Sequence, residues 1–485
     1  MNAPPFDGIS RRLGTAFLAC VLAAGCAPDV ARAPLTFPFA SAFSTAPQAS
    51  PRVLDNAEWW RRLQDPLFDR LAEAALTGNL TLAAAAARVD AAAAALDAVA
   101  PAVTLSARAE AGRAGGRGVP DRSETRLPAS LSWILDPWGA RQAERAAAGA
   151  RLQAADAERD AAQLLVLYRL SEAYLDLRLR QRLLSLRRQE AAARRQTLAM
   201  TRTLAESEAV TRVDVARASA RVAEIESQLP DIEARIRARQ AEIAVLTGSA
   251  PGTMPAAIAG ALATPHPIPR PALSPEIGIP ADLLRNRPDI RVAEQLYYAA
   301  LADADAARAA LYPRLSLTGT ISLVGRGGAP GGMEYFLGPV LTLPTLPDGP
   351  GRAAVAAREA GVRQAHANWQ GAVIEAIREV ETALGDYQSV ARAIGPAGRA
   401  VRLYAEARGL TRELFEAGEV TLGDLIDAET AEAQASVALA EAQFRQALSF
   451  VALNVRLGAG HAARPIAQSA QPRSHQVPAG RPVAP

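Results

Sequence analysis

The chain has 485 residues, only 5% of them aromatic, and a formal net charge of +3. All its basic residues are arginine, with no lysine and no dense basic block, so nothing points to nucleic acid. His266, His366, His461 and His475 are scattered without metal-ligand spacing, and no phosphate loop or nucleophile–base arrangement is visible. No cofactor and no catalytic chemistry are therefore expected.

Arg11 and Arg12 precede an apolar run, Leu13 to Ala24, that is too short to span a bilayer as a helix and has the form of a secretory signal over residues 1–25. It ends in LAAGC, which resembles a bacterial lipoprotein cleavage box with Cys26 as the acylated first residue. Ala23 stands where leucine is usual in that box, and a plain signal cleaved near Ala31 or Ala33 is the other reading. Cleavage before Cys26 leaves no free thiol, which excludes disulfides and thiol catalysis. Residues 26–56 are rich in Pro, Ala and Ser without a period and read as a tether.

The first half, 57–248, starts with Trp59–Trp60 and with Asp65–Pro66 opening a helix; Gly78–Asn79 breaks it. A second helix runs from about Leu80 to Ala98, almost all alanine on one side, and Pro101 ends it. Apolar and polar residues then alternate over about 102–111 and 125–134, predicting two strands around a Gly- and Arg-rich loop at Gly112–Ser123. From about Gly139 to Leu204 there is no proline. One helix of that size is roughly 95–100 Å long, too long for a globular core to cover. The chain turns at Glu206–Thr211 and returns as Val213–Leu246, with Pro230 inside.

A Pro-rich linker, 249–280, leads to 281–458, where the order recurs. Pro288 suits a first helical position and Asp289 the first turn. Pro313 ends this helix. Strands are expected at about 314–324 and 335–343, with a Gly-rich loop at Gly325–Gly332. A long helix from about Arg352 to Glu416, weak at Gly395–Pro396, turns at Gly418–Thr421 and returns as Leu422–Leu457. Pro101 and Pro313, Asp214 and Asp424, and Gly248 and Gly458 pair at an offset of about 210 residues, which reads as an internal duplication. Residues 459–485 read as a disordered tail.

The set Trp59–Trp60…Asp65–Pro66, Trp133…Asp136…Gly139, Arg287–Pro288–Asp289–Ile290 with Ala293–Glu294, and Gly418…Asp424…Asp427, after the box at Cys26, resembles the outer-membrane efflux proteins of the TolC family, lipoprotein branch. The resemblance implies a mainly α fold with a membrane β-barrel. A homotrimer would form a 12-stranded barrel continued by a periplasmic α-helical barrel. Four strands cannot close in lipid, whereas twelve can. It also implies a lipid-anchored channel of the outer membrane, passively exporting small molecules. These come from an inner-membrane pump, proton-driven in this branch, through a periplasmic adaptor (membrane fusion) protein.

The helical turns are then the gate. Asp427 matches the family's constriction aspartate, and Arg217 holds its place in the first half. Arg217 with Asp427, or Arg212 with Asp424, would pair between hairpins to hold the tip shut. Alternatively, Asp214 and Asp424 cap helices behind Thr211 and Thr421, as the T-x-x-D spacing suggests. A rival from another class is a non-conducting periplasmic helical scaffold, which has no use for the strands.

Overall fold

The computed structural model describes residues 35–44, 58–99, 102–117, 119–271, 280–326, 332–344 and 348–461. Cys26, the signal segment, Pro101, the centre of the Gly325–Gly332 loop and the tail from 462 onward lie outside the described residues.

After a 3-10 turn at Trp59–Leu63 come α1 (Pro66–Gly78), α2 (Leu80–Asp97), β1 (Val103–Ala107), β2 (Glu110–Gly116), β3 (Val119–Leu135), α3 (Ala140–Glu206) and α4 (Arg212–Leu246). α5 (Ala256–Ala263) lies in the linker. The second half has α6 (Leu283–Asn286), α7 (Pro288–Ala309), β4 (Arg314–Arg326), β5 (Met333–Thr342), α8 (Gly349–Glu416) and α9 (Leu422–Arg456).

The chain divides into two compact units. The first holds the described residues of 35–37, Ala87–Asp156 and Val292–Gly371, and the second those of Pro38–Ala86, Ala157–Arg291 and the part from Ala372 on. In the first unit all strands form one antiparallel sheet. β1 and β2 both pair with β3, β3 with β4, and β4 with β5. Because Arg108 and Ala109 only interrupt the first strand, the sheet is four strands wide. The edges are β1/β2 and β5. A small cluster of Tyr297, Leu301, Ala304 and Val362 packs α7 against α8.

The core of the second unit is built on the N-terminal motif. Trp59, Trp60, Leu63, Phe68 and Leu71 pack against Leu167, Leu170 and Tyr174 of α3 and Phe450 and Val451 of α9. Asp65 caps α1, accepting from the Leu67 and Phe68 amides at 3.0 and 3.2 Å, and its other oxygen takes the Tyr174 hydroxyl. Pro66 fills the first helical position, where no amide is missed.

Four expectations are corrected. Residues 112–116 and 119–123 are not a loop: β2 and β3 pair through Gly112↔Glu124 and Arg113↔Ser123, because a ladder needs only backbone groups and proceeds through Gly and Arg alike. Part of the tether is built in: Phe43 is buried, and the Ser44 hydroxyl donates to Glu381 at 2.8 Å. The linker carries α5, whose Leu262 is buried and accepts from Gln181 Nε2 at 2.7 Å. Finally, α8 runs unbroken through Gly395 and Pro396.

Candidate functional site: a two-faced sheet and two capped turns

Strand register sorts the sheet's side chains into two faces. Rows Val103–Trp133–Leu317 and Leu105–Leu131–Gly319–Leu337 lie on one, and Thr104–Ser132–Thr318 and Ser106–Ser130–Thr320 on the other. Alternation along each strand thus becomes one apolar surface and one rich in hydroxyls, on which Phe336 continues the Ser106–Ser130–Thr320 row and Ile134 and Val340 flank Ser316. On the hydroxyl side Ser106 and Ser130 are hydrogen-bonded at 2.7 Å. On the apolar side Leu105 is 76% and Leu337 75% exposed, far more than an apolar face in water sustains. Just beyond the strands, Trp138 stacks on Tyr312 with ring centroids 4.8 Å apart and donates from Nε1 to the Pro313 carbonyl at 2.9 Å. Asp136 caps α3 through the amides of Arg141 and Gln142.

The two long-helix turns are near copies. Gly418 adopts a positive φ of 75° after α8, as Glu208 does (59°) after α3. Thr211 accepts from the Asp214 amide at 3.2 Å, while Asp214 accepts from the Thr211 amide at 3.0 Å and hydroxyl at 2.7 Å. Thr421 and Asp424 repeat this capping box at 3.3, 2.8 and 2.6 Å. The threonine hydrogen bonds hold both carboxyls below the usual carboxylate range, with Arg217 adding to the effect on Asp214. Asp427 is exposed one turn on, beside buried Leu425 and Ile426. Arg212 and Arg217 are exposed; among the described residues no ion pair joins either to Asp424 or Asp427 within the chain.

Sequence reasoning missed a buried ionic node. Arg194 of α3 and Glu429 of α9, each 4% exposed, meet at 3.0 Å. Glu429 also accepts from Thr197 at 2.8 Å and from Arg412 of α8 at 3.1 Å, and Arg194 donates to Thr430 at 2.7 Å. Only Glu429's place, two residues past Asp427 and on the inward side, hinted at it.

Arg287, Pro288, Asp289 and Ile290 form a structural joint within the second unit, and Glu294 lies in the first. Arg287 grips Asp289 through two nitrogens at 3.0 and 2.6 Å, reaches Glu379 at 2.8 Å and donates to the Arg456 carbonyl at the end of α9 at 2.9 Å. Burial opposes its charge, but these carboxylates outweigh burial and raise its pKa. Ile290 is fully buried, and Glu294 accepts from Tyr298, whose hydroxyl is pushed up to about 12 by burial and that carboxylate. In the first half Asn79 does the corresponding work. Its Oδ1 caps α2, and its Nδ2 donates to the Leu246 carbonyl at 2.8 Å. Beside each joint a glycine with φ near +80° closes the returning helix, and a Cβ there would lie 2.1 Å from the Gly78 oxygen at Gly248 or 2.3 Å from the Asn286 oxygen at Gly458.

Among the described residues no helix is long and apolar enough to cross a membrane, and no group of three potential metal ligands forms.

An antiparallel sheet with an exposed apolar face, joined to helical hairpins of this length, defines a membrane channel subunit. The family model for outer membrane efflux proteins matches residues 71–249 and 279–459, and the chain belongs to that family, whose members are channels and not enzymes. It is 31% identical to Nodulation protein T of Rhizobium leguminosarum bv. trifolii over 94% of this chain and 99% of that one. It is 30% identical to the pyoverdine export outer membrane protein OpmQ of Pseudomonas putida, over 84% and 89%. Among solved structures it is similar to the outer-membrane channel OprN, with a TM-score of 0.81 and 28% identity over 90% of this chain and all of that one. It is also similar to VceC of Vibrio cholerae, with a TM-score of 0.75 and 25% identity over 84% and 99%.

Proposed function

We propose that three copies of this chain form the outer-membrane conduit of a tripartite efflux system. The observation that carries this is the two-faced, open-edged sheet. A four-stranded sheet with an apolar face leaves two strand edges unsatisfied in lipid, and three such sheets make twelve strands that close around the hydroxyl face. Trp138 and Tyr312 suit the level where hydrocarbon meets water. Small molecules pass without chemistry, delivered by an inner-membrane, proton-driven pump through a periplasmic adaptor. The pyoverdine exporter among the relatives suggests secreted small molecules as the class of cargo. The matching halves represent an internal duplication, and Cys26 carries the lipid that tethers each copy.

The tip turns form the gate. In a trimer Asp427 becomes a ring of three carboxylates, able to set cation preference and restrict the pore. Asp214 and Asp424 hold the turns as caps. Arg212 and Arg217 close the tip against the second-half carboxylates of a neighbouring copy. Single-channel conductance in planar bilayers tests this: a small, mostly closed conductance should rise on Asp427→Ala. An unchanged pore would move the gate elsewhere. No conductance from a proven trimer would favour a scaffold. Reversing the charges of Arg217 and Asp427 together should restore closure lost in either single reversal.

A further inference from the structure

The hydroxyl-rich face of the sheet has one strand that breaks its pattern. Three neighbouring rows cross this face: Ser106–Ser130–Thr320–Phe336, Thr104–Ser132–Thr318–Gly338 and Ile134–Ser316–Val340. On β1, β3 and β4 every position of these rows except Ile134 carries a hydroxyl, and on β5 none does. β5 therefore lays an apolar strip, Phe336–Gly338–Val340, along one side of a field of hydroxyls. Residues two apart share a face, so the strip is about 14 Å long. Charged residues of the same face lie beyond it at both ends, Glu334 opposite Ser322 and Arg314 opposite Thr342.

The packing around Phe336 explains how an aromatic ring comes to lie there. Its far end leans along β5 over Gly338, where a Cβ would stand 3.3 Å from Cζ. Glycine supplies the room, and a branched side chain at that position would lift the ring away. Phe336 is still 51% exposed and Val340 36%. Beside Phe336 across the ladder, the Thr320 hydroxyl makes no hydrogen bond among the described residues, whereas Ser106 and Ser130 satisfy each other at 2.7 Å. The water-facing wall of a membrane barrel is polar as a rule, and a phenyl left half open there forgoes much of the stabilisation that burial would give it. What the departure creates is a flat apolar contact next to a free hydroxyl.

We propose that Phe336, together with Gly338, Val340 and Thr320, is a contact station for cargo inside the barrel, and that it takes planar aromatic molecules carrying a neutral polar substituent. The cargo ring stacks on the phenyl, and its substituent meets the Thr320 hydroxyl. Such a contact favours an aromatic molecule about two- to tenfold, weak enough for the cargo to leave again, as a conducting site requires. This rests on the trimeric conduit proposed above, in which three stations share one lumen, and it gives that conduit a preferred class of cargo.

The test is open-channel current through full-length protein in planar bilayers. The probes are nitrophenyl galactoside and methyl galactoside, which share the sugar and differ in the ring. Nitrophenyl galactoside should interrupt the wild-type current in brief, reversible events, and methyl galactoside should not. Phe336→Ser should shorten the events about two- to tenfold and Phe336→Trp should lengthen them. Gly338→Val, which displaces the ring without removing it, and Thr320→Val should each shorten them too. Leu337→Ala, next in sequence but on the apolar face, should leave them unchanged. The conductance of each variant shows that its barrel has closed. Events of equal length in wild type and Phe336→Ser, or a loss caused by Leu337→Ala instead, would overturn the station. A wild-type channel that conducts but ignores the aromatic probe sinks the station and leaves the conduit standing. Protein shown to be trimeric that conducts nothing sinks the conduit, and the station with it.

Discussion

Asn79 and Arg287 stand at corresponding joints, each just before a helix and each donating to the last turn of the returning helix, but they do it with different chemistry. Asn79 is neutral and makes a cap and one bridge. Arg287 is charged, buried, and gathers two carboxylates. The contrast extends to the turns, where Asp427 and Glu429 of α9 stand in the places of Arg217 and Ser219 of α4. The order of elements recurs, but at these two places the second half puts buried charge where the first has neutral or exposed groups. Buried charge is unforgiving of partial loss, because a stranded partner costs more than the pair contributes. The joint at Arg287 and the turn beside Glu429 should therefore be more fragile than their first-half counterparts.

The contrast is tested most severely at Glu429. Glu429→Ala removes the carboxylate shared by Arg194 and Arg412, leaving buried Arg194 only Glu190 at 3.8 Å, and should cost about 3–5 kcal/mol, read as a large drop in the thermal unfolding temperature of detergent-extracted protein. The corresponding Ser219→Ala should shift it little. Next is Arg287→Ala, which removes charged hydrogen bonds worth about 1.5–3 kcal/mol each to stability. Asn79→Ala should cost about 0.5–2 kcal/mol, the usual loss of a cap. Equal losses at the two joints would erase the distinction drawn here.

A smaller effect should be the same in both halves. Thr211→Ala and Thr421→Ala each remove a capping box at a cost of about 1 kcal/mol, seen as faster hydrogen exchange confined to that turn. The smallest effect is one of pH. Asp214 and Asp424 have carboxyls lowered from an ordinary value of 3.8. A lowered folded pKa gives stability that is complete above the ordinary value and is lost as pH falls through the lowered one. Exchange at both turns, corrected for intrinsic rates, should hold steady down to about pH 4 and quicken below it. Quickening at neutral pH would show that the carboxylates are not the caps.

What could be read in the sequence was whatever has a period or a local partner. Alternation revealed the sheet strands, the absence of proline revealed α3, and T-x-x-D offered the capping boxes as one reading of the turns. What could not be read depends on partners distant in the chain. The ladder through Gly112–Ser123 is invisible because backbone pairing leaves no mark on a Gly- and Arg-rich composition. Arg194 and Glu429 are more than two hundred residues apart, and either alone resembles a solvated charge. Arg287 was legible as part of a signature but not as a clamp, since Glu379 and the Arg456 carbonyl come from other helices. Arg217 and Asp427 stand differently: sequence correspondence suggested a pair, and within one chain both are exposed, with no ion pair between them among the described residues.

The unsatisfied edges of the sheet have a consequence for how the protein enters a membrane. β1/β2 uses only the side facing β3, and β5 only the side facing β4. Each unpaired backbone group left in hydrocarbon costs several kcal/mol, so a lone chain has no resting place in the bilayer. With three copies closing one barrel, as proposed above, insertion behaves as a quorum: copies meet before or while they enter, and pore number rises more steeply than the amount of chain made. On that assembly, a cell producing half as much of this protein would have fewer than half as many pores.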